Sequence, residues 1–234
     1  MFIFEETIKV NITWVITTNQ IAYFYSMLTT KQLQFSYTRN QVMNFPDFNL
    51  QKGEHWLLLG QSGSGKTTLL HLLGGLLSPT SGSIQIGNTE LGQLRASALD
   101  QFRGKNIGIV FQKSHFVRAL TIGENLALAQ QLAGLKPNRE RIVELLERLN
   151  IGDKLRLKPD RLSIGEQQRA AIARALINQA PIILADEPTS ALDDHNTTEV
   201  INLLEEQAKA LGSTLLVVTH DKRLKDRFPN QIAL

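Results

Sequence analysis

Four stretches of the chain, "HWLLLG" (55–60), "NIGIVFQ" (106–112), "PIILADE" (181–187) and "TLLVVTH" (214–220), are apolar almost without interruption. Each has the length of a strand, and none alternates polar with apolar residues, so each reads as a strand buried on both faces. Helical text separates them. "TTLLHLLGGLL" follows the first, and a helix near 196–211 that stops at Gly212 links the last two. Fully apolar strands alternating with helices imply an α/β fold with a mostly parallel sheet covered on both sides.

Two further stretches, "QLQFSY" (32–37) and "SIQIG" (83–87), do alternate and predict strands with one solvated face, the second preceded by a turn over 79–82. From about 113 to 170 the strand–helix alternation is interrupted, which reads as an inserted helical lobe. Within it "NRERIVELLERLN" places Ile142, Leu145, Leu146 and Leu149 on one helical face, with Asn138 after Pro137 as the N-cap.

The 234 residues include no cysteine, which excludes disulfides and thiol chemistry. A net charge of +3 is too small to argue for nucleic acid as a partner. The uncharged run Val10–Leu28 holds too many Asn, Thr, Gln and Ser residues for a spanning helix, and Glu5 and Glu6 stand where a signal peptide needs cations. Residues 1–27 are therefore set aside as an N-terminal extension, with Met27 an alternative start, and 28–234 as the folded domain. A segment lying on a membrane surface is the other reading of that run.

"GQSGSGKTT" matches G-x-x-x-x-G-K-[ST] and has a buried strand before it and a helix after it. Gly60, Gln61, Ser62, Gly63, Ser64 and Gly65 form a loop whose backbone N–H groups can converge on phosphate oxygens. Lys66 reaches the β- and γ-phosphates, Thr67 offers a hydroxyl to Mg²⁺, and Thr68 completes the motif. The bland alternative is a Gly-Ser turn with no ligand.

In "IILADE", Asp186 ends a buried strand at the edge where such sheets bind ligands, and is read as an Mg²⁺ ligand. Glu187 is read as the group that polarises the attacking water. The alternative, that the two acids cap the following helix, is weaker because Pro188 and Thr189 are better placed to do so. His220 and Gln112 also end buried strands. Each is either structural or a site residue, His220 as a γ-phosphate sensor and Gln112 as a ligand of Mg²⁺ or water. Tyr37 either stacks on adenine or belongs to the core.

"LSIGEQQR" (162–169) contains Ser163 and Glu166 in the S-x-x-E spacing of a capping box. A cap alone would explain it. Yet Gly165 in a first helical turn is a poor choice unless something approaches the backbone closely, and a bare helix N-terminus favours anions.

Taken together, these segments resemble the ATP-binding cassette (ABC) ATPases. Tyr37 matches the A-loop aromatic, 60–67 the Walker A motif and Gln112 the Q-loop. "LSIGEQQR" matches the signature, "IILADE" Walker B, "SALD" (190–193) the D-loop and His220 the switch histidine. The similarity spans about residues 30–225. It implies a P-loop NTPase with a RecA-like core, an antiparallel β-lobe and a helical lobe carrying the signature. It also implies two copies packed head to tail with ATP and Mg²⁺ between them. Ser163 and Gly165, with Glu166 beside them, would reach the γ-phosphate of the partner copy, and Asp193 would couple the two sites. Ile164 stands where the family's commonest signature has Gly.

"ALTIGENLALAQQLAGL" (119–135) and "LADEPTSALD" (184–193) resemble the bacterial lipoprotein-release and macrolide-export cassettes, which pair with FtsX-like permeases. The resemblance implies an ATPase at the cytoplasmic face of the inner membrane, held there by its permease and powering export. An FtsE-like signalling cassette that transports nothing is the alternative; DNA-repair, translation and kinase readings fit less well. The permease groove is expected near Gln112 and "KSHFVRALT" (113–121), where Phe116, Val117 and Leu120 form either a docking surface or a small core.

Overall fold

The computed structural model describes residues 26–38, 41–189, 194–221 and 224–234. The fully apolar runs form one parallel sheet. Its strands are β4 (His55–Leu59), β7 (Ile107–Val110), β8 (Ile182–Asp186), β9 (Thr214–Thr219) and β10 (Asn230–Ala233), in the spatial order β10-β4-β9-β8-β7. Every residue of β8 and β9 is buried. Because side chains alternate across a strand, the sheet divides the core in two. Leu57, Ile183, Ala185, Leu215 and Val217 face one apolar cluster. Leu58, Ile182, Leu184, Leu216 and Val218 face the other.

The first cluster is covered by α3 (Ile122–Leu132), α4 (Arg139–Arg148), α5 (Ile164–Leu176) and α6 (Asp194–Leu211). The second is covered by α1 (Lys66–Leu73) and by an antiparallel sheet. In that sheet β1 (Ser26–Ser36) pairs with β2 (Val42–Asn44), β3 (Phe48–Gln51) and β5 (Ser81–Ile86), and β5 pairs with β6 (Thr89–Glu90). Ser26 and Met27, set aside with the extension in the sequence reading, belong to β1: Ser26 lies opposite Gln51, and Met27 sits at the register shift that follows, its carbonyl accepting from the Gly87 N–H. The run 10–25 lies outside the described residues. Helix α2 (Ala96–Asn106) has no fully buried residue and packs only Leu99 and Phe102, half-buried, against the core, too few to announce it by apolar periodicity.

Besides that apolar packing, the helical segment between β7 and β8 meets the sheet closely at one glycine. A Cβ on Gly108 would lie 2.3 Å from the carbonyl oxygen of Ala175, so β7 and α5 approach each other backbone to backbone. The obstacle is main chain and cannot swing aside. Gly108→Ala is therefore expected to destabilise the protein by about 3 kcal/mol, the upper part of the usual overpacking range, measurable by urea denaturation.

Candidate functional site

All the parallel strands end on one edge, and the crevice there is built from their carboxyl-terminal residues. The loop leaving β4 turns into α1 through Gly63 and Gly65, both in the left-handed region (φ 81° and 96°), with Gly65 as the N-cap of α1. A side chain at 65 would also press on Phe45 and Met43, whose nearest atoms are 3.3 and 3.5 Å from the Cβ position. Lys66 folds back over this loop, and its Nζ donates to the carbonyls of Gly60 and Gln61 at 2.8 Å each. The N–H of Ser64 bonds the Gln61 carbonyl at 3.2 Å, closing the turn.

A cavity of 450 Å³ opens above the loop, lined by Ser62, Gly63, Gly65, Lys66, Thr67 and Thr68, and by Gln112, Glu187 and His220 from the ends of the neighbouring strands. The structure thus brings together sequence-predicted residues from four separate stretches. Thr67 Oγ1 donates to Asp186 Oδ1 at 3.3 Å across 119 residues of chain. Thr67 and Gln112 in the cavity wall, with Asp186 bonded to Thr67 but itself no part of that wall, make a donor set of hydroxyl, amide and carboxylate oxygens. Among the described residues no group of three or more His, Asp or Glu gathers to hold a metal. A set this sparse fits a hard divalent cation that takes most of its ligands from a bound phosphate.

Glu187 is the most constrained residue of the site. It sits at φ 46°, unusual for a side chain other than glycine, and its N–H bonds the Val218 carbonyl at 2.8 Å. Its carboxylate, in a residue only 9% exposed, is clamped on both oxygens. Oε2 accepts from Thr219 Oγ1 at 2.9 Å, and Oε1 accepts from the His220 backbone N–H at 3.1 Å and lies 2.8 Å from His220 Nδ1. Such strain costs about 1–3 kcal/mol and persists only where the surroundings enforce it. The helix after these acids begins only at Asp194, so neither the acids nor Pro188 and Thr189 cap it.

Asp186 is 3% exposed, and burial pushes its carboxyl above the ordinary carboxylate range, with the neighbouring Glu187 charge adding to the effect. The Thr67 hydrogen bond and the charges of His71 and Lys66 pull the other way. With the folded pKa raised, the folded chain holds this proton more readily than the unfolded one. The stability this contributes is complete below the ordinary carboxylate pKa and is lost as pH rises through the raised value. Asp186→Asn is therefore expected to raise the melting temperature at pH 7–8, with the gain shrinking as the pH is lowered through the carboxylate range. Thermal melts across that range check it.

Other sequence-predicted residues stand elsewhere. Tyr37 is 61% exposed and is no part of the cavity wall, although its OH lies 3.2 Å from Thr68 Oγ1 and its ring meets Phe35 edge-on at 4.7 Å. Ser163, Gly165 and Glu166 line no part of the cavity. They form the tip of α5, where the capping box is present in full: Glu166 N–H donates to Ser163 Oγ at 3.3 Å, and Ser163 N–H donates to Glu166 Oε2 at 2.8 Å. Lys154 also holds Glu166, at 3.1 Å. Ile164 beside them is 65% exposed, and a Cβ on Gly165 would meet nothing within 4 Å. Asp193 lies outside the described residues.

The sequence reading missed Met43, which lines the cavity from the short strand β2, and Thr219, which clamps Glu187. A further groove opens between sheet and helical segment. That groove is lined by Leu76, Phe111, Leu132, Arg174 and Asn178, and no residue of 113–121 contributes. Phe116 instead packs against the core beneath Arg174, whose guanidinium lies 4.9 Å from the ring centroid.

Comparison with known proteins decides the family. The profile described as "ABC transporter" matches residues 43–190. The chain belongs to the ABC transporter family. It is an ATP-binding, ATP-hydrolysing cassette. The lipoprotein-releasing system ATP-binding protein LolD of Legionella pneumophila (strain Lens) is 39% identical over 214 residues, which is 89% of this chain and 94% of that one. The macrolide export ATP-binding/permease protein MacB of Aggregatibacter actinomycetemcomitans is 41% identical over 205 residues, 85% of this chain but only 32% of that longer protein. The dimeric cassette MJ0796, solved in a post-hydrolysis state with ADP and Pi, superposes with a TM-score of 0.80 at 35% identity, covering 89% of this chain and 94% of that one. Among the described residues of the cassette, no helix is long and apolar enough to cross a membrane.

Proposed function

We propose that this cassette is the motor of an export system, peripheral to the cytoplasmic face of the inner membrane and seated there on FtsX-like permease subunits. It would work as a homodimer with two ATP molecules between the copies. The observation that carries the dimer is the separation of two halves of one site. The phosphate loop, Gln112 and Glu187 line a cavity that Ser163 and Gly165 do not reach, while those two residues stand on an open helix tip. A second copy can supply that tip. The likeness to LolD, MacB and the dimeric MJ0796 supports both the export role and the pairing.

In the assembled site the loop N–H groups and Lys66 hold the β- and γ-phosphates, and Tyr37 and Met43 take the base and sugar side. Thr67, Asp186 and Gln112 would hold Mg²⁺, which supplies charge neutralisation to the phosphates when bound. Glu187 orients a water for in-line attack on the γ-phosphorus and accepts its proton as the bond to the β–γ bridging oxygen breaks, giving ADP and Pi. Thr219 and the His220 N–H fix the carboxylate, and the His220 ring, on the same oxygen, senses the departing phosphate. The groove bounded by Leu76, Phe111 and Leu132 lies between sheet and helical segment, where motion of the 113–170 lobe would be felt by the permease.

Purification of the cassette from its native membrane tests the seat on the permease, a partnership that the FtsE-like alternative shares. Co-purification of an FtsX-like permease is the expected outcome, and recovery with no membrane partner overturns it.

A further inference from the structure

Apart from the nucleotide site and the groove, the helical segment holds a third feature. It is a cavity of 290 Å³ whose walls are Ala127, Pro137, Ile142 and Leu155, with Arg139 and Arg156 at its edge. It shares no lining residue with the nucleotide cavity. We propose that it is a docking site for a protein partner, and that the docking segment presents one or two large apolar side chains flanked by carboxylates.

The cavity is preformed. The N–H groups of Ile122 and Gly123 bond the carbonyls of Leu157 and Leu155 at 2.8 and 2.9 Å, which fastens the segment 155–157 across the start of α3. Gly123 permits this approach, because a Cβ there would come within 2.6 Å of Leu155 Cδ1. Its lining suits side chains: the walls are Ala127, Pro137, Ile142 and Leu155, an apolar hole of the kind that takes the anchor residue of a docked segment.

Charge completes the argument. Glu124 is the only acid in the lining, and it is occupied: Oε2 accepts from the Thr121 N–H and hydroxyl at 2.8 Å each. The Thr121 backbone hydrogen bond, first among the causes, holds this carboxyl below its ordinary range. Arg139 and Arg156 are exposed, and neither has an ion-pair or hydrogen-bond partner among the described residues. Arg139 sits in the first turn of α4, the end of a helix where a cation is disfavoured, so its placement does nothing for the helix itself. The surrounding segment 113–161 carries ten Lys and Arg against six Asp and Glu, whereas the rest of the chain holds fifteen against sixteen. The excess positive charge of this chain thus falls within the segment that forms the cavity, with Arg139 and Arg156 in the cavity lining itself, and an acidic, apolar segment complements both features.

The absence of cysteine makes the test clean. Pro137→Cys at the exposed rim, labelled with benzophenone maleimide, is irradiated in the complex purified from membranes, and the adduct is sequenced by mass spectrometry. The expected product is a protein segment with Asp or Glu within a few residues of Leu, Ile, Met or Phe. Arg139→Glu with Arg156→Glu should lower the yield at least ten-fold, and Ala127→Trp, which fills the cavity without touching either charge, should do the same. Thermal melts of these variants identify any that fail to fold. Adducts to lipid alone, no protein adduct, an adduct lacking carboxylates, or a yield indifferent to the variants each overturns the proposal. Binding of the isolated cassette to vesicles of phosphatidylcholine and phosphatidylglycerol, lost on charge reversal, would assign the surface to the membrane and equally overturn it.

Discussion

Glu187→Gln is expected to slow ATP turnover by about 10³-fold, within the range ascribed to a positioned general base, while ATP binding survives. The amide is close to isosteric with the carboxylate, and its oxygen can still accept from Thr219 Oγ1 or from the His220 N–H, so the clamp that imposes φ 46° on residue 187 is largely kept. What disappears is the capacity to take a proton from water. With binding intact and chemistry stopped, the variant should accumulate as an ATP-bound dimer, seen as a doubled mass in size-exclusion chromatography with ATP and Mg²⁺ and as a monomer without them. Normal turnover would remove Glu187 from the role of base. Lost turnover with a strictly monomeric species would leave the base in place and sink the sandwich.

The parts of this site that could be read from sequence are those that local chemistry dictates. A run such as "PIILADE" is buried on both faces because nothing else suits it, and the glycines of the phosphate loop are needed where the backbone turns left-handed at 63 and 65. Caps are equally local: Asn138 accepts from the Arg141 N–H at 2.9 Å, and the Ser163–Glu166 box forms as its spacing requires. What stayed hidden depends on partners far away in sequence. Thr219 clamps Glu187 across 32 residues, and Met43 reaches the cavity from a three-residue strand whose pairing with β1 no periodicity could reveal. Strand β10 is similar, with only Ile232 buried, so its apolar signal is a single residue. Helix α2 buries no side chain fully: Leu99 and Phe102 pack half-buried against the core, and Gly104 lets the helix come close to α3, where a Cβ would lie 2.8 Å from the Cα of Ala133. Two half-buried side chains and one close backbone approach leave too weak a trace in a hydrophobic pattern to announce a helix.

Ser163→Arg separates the two meanings of the α5 tip. As a cap, Ser163 supplies one acceptor to the Glu166 N–H, and its loss costs about 1 kcal/mol. An Arg at the positive end of the helix adds a little to that. The other half of the box uses the backbone N–H of residue 163 and persists, so the variant should fold. Because Ser163 is no part of its own cavity wall, the monomer should bind ATP with unchanged affinity. If the tip serves the partner's triphosphate, a long cation there blocks closure, and hydrolysis should fall more than 100-fold. Ser163→Asn is the discriminating companion, since Asn caps a helix as well as Ser does. A tip that only caps predicts an Asn variant with full ATPase activity and an Arg variant impaired no further than its lowered melting temperature explains. A tip that completes a second copy's site predicts that both variants lose turnover at temperatures where both are folded, with nucleotide affinity measured on the monomer unaffected in either.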